Sequence, residues 1–293
     1  MKTLETMKMK GLNTWQIKML AVVFMTIDHL GAYGFEIPIF DAWYSELRLI
    51  GRIAMPLFLF ALTEGVRHTR SRKKMLRRLN LAAVGCGLFV AVTNFLFDDS
   101  VGMFISSNIF FTYFYVVLYI VLVEEILTGC REKNRRRILI GFGGIAATVI
   151  PHILLALLYE VNVMEFGASL DVAFLYQDLV ASFLASPLVV EYSILFVIMG
   201  VVMYFAGSKT GKAAVLVAFS ILCYLGGKIP AISGSMWLPV GYPQYYMILA
   251  APFILLYNGE KGRSSKYFFY CYYPLHRYAI SVVVYLYEIL SGA

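Results

Sequence analysis

The feature that most constrains this chain is a series of apolar runs, each long enough to cross a membrane. A bilayer core of about 30 Å is crossed by roughly 20 residues of α-helix, and charged or Pro/Gly-rich breaks divide the sequence into runs near that length. Because 60% of the 293 residues are apolar and only 15% are charged, the expected solvent is lipid. We therefore predict an all-α, polytopic transmembrane helical bundle that forms a single integral membrane domain over residues 1–293.

The breaks predict about nine transmembrane helices, within a range of eight to ten. The predicted spans are 15–34, 48–66, 79–97, 108–127, 138–158, 191–207, 213–228, 244–257 and 267–288. Segment 168–186 has helical apolar spacing but contains Asp171, Gln177 and Asp178. Those polar residues favour an amphipathic helix at the membrane surface over a further span.

Lysine and arginine are unevenly distributed between the two sides of these spans. Twenty-one of the 25 fall on one side, whereas the opposite loops carry acids such as Asp98 and Asp99. Since positively charged loops remain in the cytoplasm, we predict a cytoplasmic N-terminus and, with an odd helix count, a C-terminus outside. The net charge of +7 is then explained by topology and by contact with anionic membrane lipids, so no nucleic-acid partner is expected.

Several ionisable residues fall well inside the first two predicted spans, where an unpaired charge costs a few kcal/mol or more. Asp28 and His29 lie about 15 Å along the first helix from Lys18, which is near mid-membrane. Arg48 and Arg52 are four residues apart and share one stripe of the second helix. We expect Arg52 to pair with Asp28 while His29 faces a cavity; the alternative is that Asp28 and Arg52 only clamp the two helices together.

A second histidine, His276, lies at similar depth on the last predicted helix. Pro274, two residues earlier, can kink that helix and free a backbone carbonyl. Imidazole is the usual general base near neutral pH, so either His29 or His276 is a candidate catalytic base.

A cluster of basic residues follows the second predicted span. It is either a lipid-binding loop that sets the topology or a docking site for an anionic cytosolic cofactor, because arginines and helix ends bind phosphates well. The candidate cofactor-binding residues are Glu64, His68, Arg70, Arg72, Arg77 and Arg78. The cysteines show no spacing typical of metal ligands, so we expect no metal site.

Together these residues resemble the TraX family, bacterial membrane proteins named for a conjugative pilin acetylase. The matching strings cover a little under half of the chain, at both ends, and the middle from about 128 to 190 gives no recognisable match. They are IDHLG at 27–31, LRLIGRIAMPLFLFALTEG at 47–65, HTRS at 68–71, RRL at 77–79, NIFFT at 108–112, PQYYMILAAPFILLYNGEKG at 243–262 and KYFFYCYYPLHR at 266–277.

The resemblance implies a membrane-embedded acetyltransferase of the bacterial cytoplasmic membrane. The acetyl donor would be acetyl-CoA from the cytosol, and the acceptor an amine or hydroxyl of a pilin-like protein or an envelope glycan. One histidine would deprotonate the acceptor, while Arg52, Arg48 or Asn108 stabilises the developing oxyanion. Two alternatives remain open: a transporter or proton relay that uses the buried Asp, His and Arg, and a non-catalytic assembly factor.

Overall fold

The computed structural model describes residues 11–97, 108–160, 183, 186–188, 190–233, 240–263 and 266–291. Within these ranges the regular elements are helices, which confirms the predicted all-α class. They are α1 (Thr14–Tyr33), α2 (Pro38–Ala42), α3 (Tyr44–Gly51), α4 (Ala54–His68), α5 (Arg72–Phe97), α6 (Ile109–Arg131), α7 (Arg135–Ala147), α8 (Ile150–Glu160), α9 (Ser193–Ala206), α10 (Lys209–Gly226), α11 (Pro230–Ser233), a 3-10 helix (Gln244–Ala250), α12 (Ala251–Leu255) and α13 (Lys266–Ser291).

Five helical stretches in the described part of the chain are long and apolar enough to cross a membrane: Tyr44–His68, Arg72–Thr93, Ile109–Arg131, Arg135–Leu154 and Lys209–Gly226. Two shorter apolar helices, Ser193–Ala206 and Gln244–Leu255, accompany them. Helices α1 and α13 are about 30 and 39 Å long, which is enough to cross a membrane. They are less apolar than the five stretches because they carry the polar residues of the candidate site. The count of nine spans and the cytoplasmic N-terminus stay predictions, and segment 168–186 lies, apart from residues 183 and 186, outside the described residues.

The second predicted span is interrupted at Arg52 and Ile53. Proline at position 56 has no N–H to donate, and its ring displaces the carbonyl four residues earlier, which belongs to Arg52. The backbone tightens there, since Arg52 N donates to Leu49 O at 3.2 Å and Ile53 N to Ile50 O at 3.2 Å. Two helices, α3 and α4, therefore replace one.

The fifth predicted span is interrupted for the same reason. Helix α7 ends at Ala147, four residues before Pro151, and α8 begins at Ile150. Pro151 therefore accounts for the break between these two helices. The eighth predicted span differs in type, because most of it is the 3-10 helix Gln244–Ala250.

The cluster of arginines and lysines after the second span is helical, whereas the sequence predicted a loop as far as residue 78. Helix α5 begins at Arg72, so Arg72, Arg77 and Arg78 lie in its first two turns. Ser71 precedes the helix and its hydroxyl accepts a hydrogen bond from Lys74 N at 3.3 Å. A serine at this position satisfies an N–H group of the first turn, which explains the early start.

Helix α1 lies at the centre of the candidate site, packed against α3, α4 and α13. The approach of α3 is close because Gly51 has no side chain. A Cβ at Gly51 would lie 2.2 Å from Asp28 Cβ, far inside van der Waals contact. Leu57 and Phe60 of α4 are fully buried, and this helix packs beside α1.

One end of the bundle, which we name the basic end, gathers residues 11–18, 64–78, 207–212 and 256–263. Leu12 N donates to Leu256 O at 2.8 Å, and Asn258 N donates to Leu12 O at 2.9 Å. Lys209 Nζ donates to Tyr257 O at 2.9 Å. These bonds hold the start of α1 and the start of α10 beside the segment that follows α12.

Candidate active site

Two histidines from opposite ends of the sequence meet at the interface of α1 and α13. His29 Nδ1 and His276 Nε2 are 2.5 Å apart, and the rings stack with centroids 4.8 Å apart and planes 14° apart. Both residues are buried, each with 7% of its surface exposed. The depth match predicted from the sequence thus corresponds to direct contact, and we name the two residues the histidine pair.

Hydrogen bonds fix the proton positions in the neutral histidine pair. His276 Nδ1 lies 2.7 Å from Tyr272 O, and a carbonyl oxygen only accepts, so Nδ1 carries the proton. The other nitrogen of His276 must then accept from His29 Nδ1. The nitrogen left with an available lone pair is His29 Nε2, so the pair can accept a further proton at this atom.

Asp28, next to His29, binds two arginines, Arg48 of α3 and Arg52 directly after it. Its Oδ1 accepts from Arg52 Nη2, and its Oδ2 accepts from Arg48 Nη1 at 2.9 Å. The Asp28–Arg52 contact expected from the sequence is present, and Arg48 adds a second one. Arg52 also donates to Gln244 Oε1 at 3.4 Å, which connects the cluster to the 3-10 helix.

A second polar network lies on the other side of His29. Tyr273 Oη donates to Glu191 Oε2 and accepts from Arg277 Nη1 at 3.1 Å. Arg277 Nη2 donates to Tyr33 Oη at 2.5 Å. The candidate residues predicted from the sequence include neither Glu191 nor Arg277. Glu191 could have been suspected because it is the first residue of the predicted span 191–207.

A small cavity of about 20 Å³ separates His29 from Glu191. It has room for one water-sized group. Apart from its two ionisable residues, the walls are apolar or aromatic. The lining residues are Met25, His29, Ala54, Met55, Phe58, Ile109, Tyr113, Glu191, Tyr192 and Tyr273. We name it the reaction cavity.

An apolar channel of about 160 Å³ adjoins the reaction cavity. Met25, Phe58 and Tyr113 line both spaces. From there the channel follows α1 for about 10 Å to Lys18, with Gly65 also in its wall. The channel therefore extends from residues of the basic end to the wall of the reaction cavity.

A separate groove of about 570 Å³ reaches His276 from the outer face of α1 and α13. It is lined mostly by aliphatic and aromatic residues, including Leu30, Phe40 and Val283. Tyr272 lies between this groove and the channel because it lines both. Its hydroxyl is 2.7 Å from Thr26 Oγ1, which holds this wall closed.

The basic end holds an open cavity of about 500 Å³. Two predicted cofactor-binding residues, Glu64 and His68, line it together with Arg67 and Lys209. Glu64 is bound by the fully buried Lys212, and its other oxygen lies 3.7 Å from His68 Nε2. The sequence missed Arg67, Lys209 and Lys212, although the apolar residues after Lys212 indicated that it enters the bundle.

The remaining predicted site residues lie outside these cavities. Arg70, Arg77 and Arg78 are exposed, whereas Arg72 pairs with Glu124 and donates to Tyr204 Oη at 2.8 Å. Asn108 caps α6 by accepting from Phe110 N at 3.2 Å, and its amide donates to Ala83 O at 2.7 Å. Its predicted oxyanion role stays a prediction.

Comparison with known proteins places this architecture in a family. The family model described as TraX protein matches residues 14–284, which include the histidine pair, Arg48, Arg52 and Glu191. The chain belongs to the TraX family. No solved structure matches the chain.

A curated relative of this TraX protein is a probable fimbrial assembly protein FimC, serogroup H1, from Dichelobacter nodosus. It is 35% identical over 68 residues, which are 23% of this chain and 27% of the relative. The chain thus matches about a quarter of that protein's length. In the described part of the TraX chain, no group of three or more His, Cys, Asp or Glu residues is arranged to hold a metal ion.

Proposed function

We propose that this protein is an acetyltransferase of the bacterial cytoplasmic membrane. It transfers an acetyl group from acetyl-CoA to an amine or hydroxyl acceptor, a pilin-like protein or an envelope glycan. The observation that carries the proposal is the position of His29. A buried base lies at the end of a channel that starts at the basic end, which is the arrangement needed to receive a long, anionic donor by its uncharged end.

His29 is the general base of the proposed reaction. Its Nε2 takes a proton from the acceptor nucleophile, which attacks the thioester carbonyl carbon. The C–S bond breaks, and the thiolate leaves with the proton returned from His29. Arg48 and Arg52, held by Asp28, place positive charge near the developing oxyanion, with Asn108 as a further predicted donor.

The donor binds with its phosphates at the basic end and its acyl end in the channel. Arg67, His68 and Lys209 supply positive charge around the open cavity there, and Arg70, Arg72, Arg77 and Arg78 extend it along α5. Glu64 is neutralised by Lys212, so it does not repel an anion. The pantetheine arm then has a narrow apolar path along α1 toward His29.

The proposed orientation places the basic end in the cytoplasm, where acetyl-CoA is available. Nine spans then put the N-terminus inside and the C-terminus outside, with the basic end also in contact with anionic lipid headgroups. The fimbrial relative supports a pilin-like acceptor.

The test is transfer of labelled acetyl groups by purified protein in detergent or liposomes. Wild type incubated with radiolabelled acetyl-CoA and candidate acceptors, including pilin-like peptides and envelope glycans, should give labelled product. His29→Ala should not, and His152→Ala, which removes a histidine of α8 away from the described cavities, serves as the matched control. Proton flux across liposomes without acetyl-CoA, together with no labelled product, would instead support the transporter.

A further inference from the structure

The reaction cavity and the channel meet at a ring of side chains, which we name the junction. Its members line both spaces, and they are Met25, Phe58, Ile109, Tyr113 and Tyr273. The reaction cavity has room for one water-sized group, which the attacking atom of the acceptor fills beside His29. A thioester that arrives through the channel therefore presents its carbonyl group at the junction.

The carbonyl oxygen of the thioester needs a hydrogen-bond donor, because negative charge develops on it during attack. Arg48, Arg52 and Asn108, which the proposed reaction assigns to this charge, line neither the channel nor the reaction cavity. The two arginines act on the oxygen through space, and Asn108 is engaged with Phe110 N and Ala83 O. A donor in contact with the oxygen must therefore come from the junction itself.

The polar groups around Tyr273 at the junction are already engaged. Tyr273 Oη donates its hydrogen to Glu191 Oε2 and accepts from Arg277 Nη1 at 3.1 Å. It also accepts from Ile109 N at 3.3 Å, so the N–H group at the start of α6 is used as well. The hydroxyl of Tyr113 is the other side-chain donor among the members of the junction.

Tyr113 is placed at the junction by α6. It lies one helical turn after Ile109, so the two side chains share a face of that helix. Its phenol oxygen interacts electrostatically with Glu191 and Tyr192, which places the hydroxyl on the side of the reaction cavity. Within the described part of the chain this hydroxyl forms no hydrogen bond, whereas a tyrosine hydroxyl inside a protein usually has a partner. Its O–H group is therefore available to a ligand.

The charged groups near the reaction cavity favour an oxyanion. The carboxylate of Glu191 lines the cavity, and the charges of Arg277, Arg52 and Asp28 all act on it. Arg48 is paired with Asp28. With both carboxylates ionised, these groups carry three positive charges against two negative ones. Negative charge on the thioester oxygen therefore meets a net positive field, to which Tyr113 adds a direct hydrogen bond.

We propose that Tyr113 is a catalytic residue that donates a hydrogen bond to the thioester carbonyl oxygen. The inference rests on the proposed acetyl transfer and adds a residue that touches the donor. As His29 Nε2 takes the proton of the attacking group, the carbonyl carbon gains a fourth bond and its oxygen becomes negative. The O–H bond of Tyr113 stays intact, and its hydrogen bond to the oxygen strengthens. When the C–S bond breaks, the carbonyl forms again and the thiolate takes the proton from His29.

Infrared spectroscopy of bound acetyl-CoA tests the contact without turnover. The probe is acetyl-CoA labelled with carbon-13 at the carbonyl, bound to the purified full chain in detergent, and the spectrum of the unlabelled complex is subtracted. A hydrogen bond to the oxygen weakens the C=O bond, so its stretching frequency should be lower in wild type than in Tyr113→Phe. The control Tyr285→Phe removes an exposed hydroxyl of α13 outside the described cavities and should keep the wild-type frequency.

The rate of acetyl transfer tests the catalytic role. Loss of one oxyanion donor lowers kcat by about 10²- to 10³-fold, so Tyr113→Phe should reduce transfer of labelled acetyl groups by this factor. KM for acetyl-CoA should change far less than kcat, because the hydrogen bond strengthens in the transition state. Tyr285→Phe should leave both kinetic constants at their wild-type values.

The two measurements separate this assignment from the proposed function. An unchanged carbonyl frequency in Tyr113→Phe overturns the assignment even where acetyl transfer occurs, and so does a frequency raised by Tyr192→Phe instead, since Tyr192 also lines the reaction cavity. A raised frequency in Tyr113→Phe with an unchanged kcat overturns the catalytic role.

A frequency raised by Tyr113→Phe alone supports the contact even where no acceptor is acetylated, and the acetyltransferase function then fails instead. Failure of wild type to bind acetyl-CoA overturns both proposals. Thermal unfolding of each variant confirms that it is folded.

Discussion

The histidine pair predicts unequal roles for its two members. His29 lines the reaction cavity and keeps the lone pair of Nε2 available, whereas His276 uses Nε2 to accept from His29 at 2.5 Å and Nδ1 to donate to Tyr272 O at 2.7 Å. Removal of His29 therefore removes the base, and removal of His276 removes only the group that selects the tautomer and orientation of the base. A glutamine at position 276 can still accept from His29 Nδ1 through its amide oxygen.

The expected losses follow from these roles. A general base contributes about 10²- to 10⁴-fold, or about 3–5 kcal/mol of barrier, so His29→Ala should lower kcat by that factor. The bond from His276 is worth about 1 kcal/mol for the tautomer, and lost orientation adds to this, so His276→Ala should lower kcat about 10- to 100-fold. His276→Gln should remain within about tenfold of wild type.

Initial rates of labelled acetyl transfer at saturating acetyl-CoA measure these effects. KM for acetyl-CoA should change little in all three variants, because neither histidine lies at the basic end. His152→Ala, in α8, is the control for loss of a histidine elsewhere. Activity that survives His29→Ala but is abolished by both His276→Ala and His276→Gln would refute the reasoning and make His276 the base.

Three further predictions concern stability and donor binding. Gly51→Ala should destabilise the fold by about 1–3 kcal/mol because its Cβ would overlap Asp28. Gly85→Ala has nothing within 4 Å of the added Cβ, so it should be neutral or stabilising by up to about 1 kcal/mol. Thermal unfolding of both variants in detergent measures the difference. Asp28→Asn leaves buried arginine charge uncompensated and should cost about 3–5 kcal/mol, and an unchanged unfolding midpoint would contradict the ion-pair account. Arg67→Gln should raise KM for acetyl-CoA more than Arg78→Gln does, because only Arg67 lines the open cavity; equal effects would indicate diffuse attraction along α5.

Much of the candidate site could be predicted because helix geometry converts sequence position into depth. Asp28 and His29 lie ten and eleven residues past Lys18, and His276 lies nine past Tyr267, so a fixed rise per residue placed the two histidines at one level. The interruptions at Arg52 and Ala147 also follow from sequence, since each lies four residues before a proline. Inferences of this kind depend only on the geometry of a single helix.

Residues whose roles depend on contacts between helices were harder to predict. Glu191 looks like a loop acid until the backbone after it turns back through Tyr192 and Ser193, and no helical periodicity describes that turn. Lys212 looks like one more positive residue of a loop until α4 supplies Glu64 beside it. A count of charges assigns both Glu191 and Lys212 to loops, because it contains no information on which helices are neighbours.

The contacts of Arg52 explain why the break between α3 and α4 requires an arginine. Where the backbone tightens, Arg52 N donates to Leu49 O, and the carbonyl of Arg48 loses its usual helical donor. The side chain of Arg52 replaces it, since Nε donates to Arg48 O at 3.2 Å, while Nη2 binds Asp28 and Nη1 binds Gln244. A lysine has one nitrogen and could not meet three partners in three directions. The interruption caused by Pro56 is therefore stabilised by the same guanidinium that fixes Asp28 beside the base.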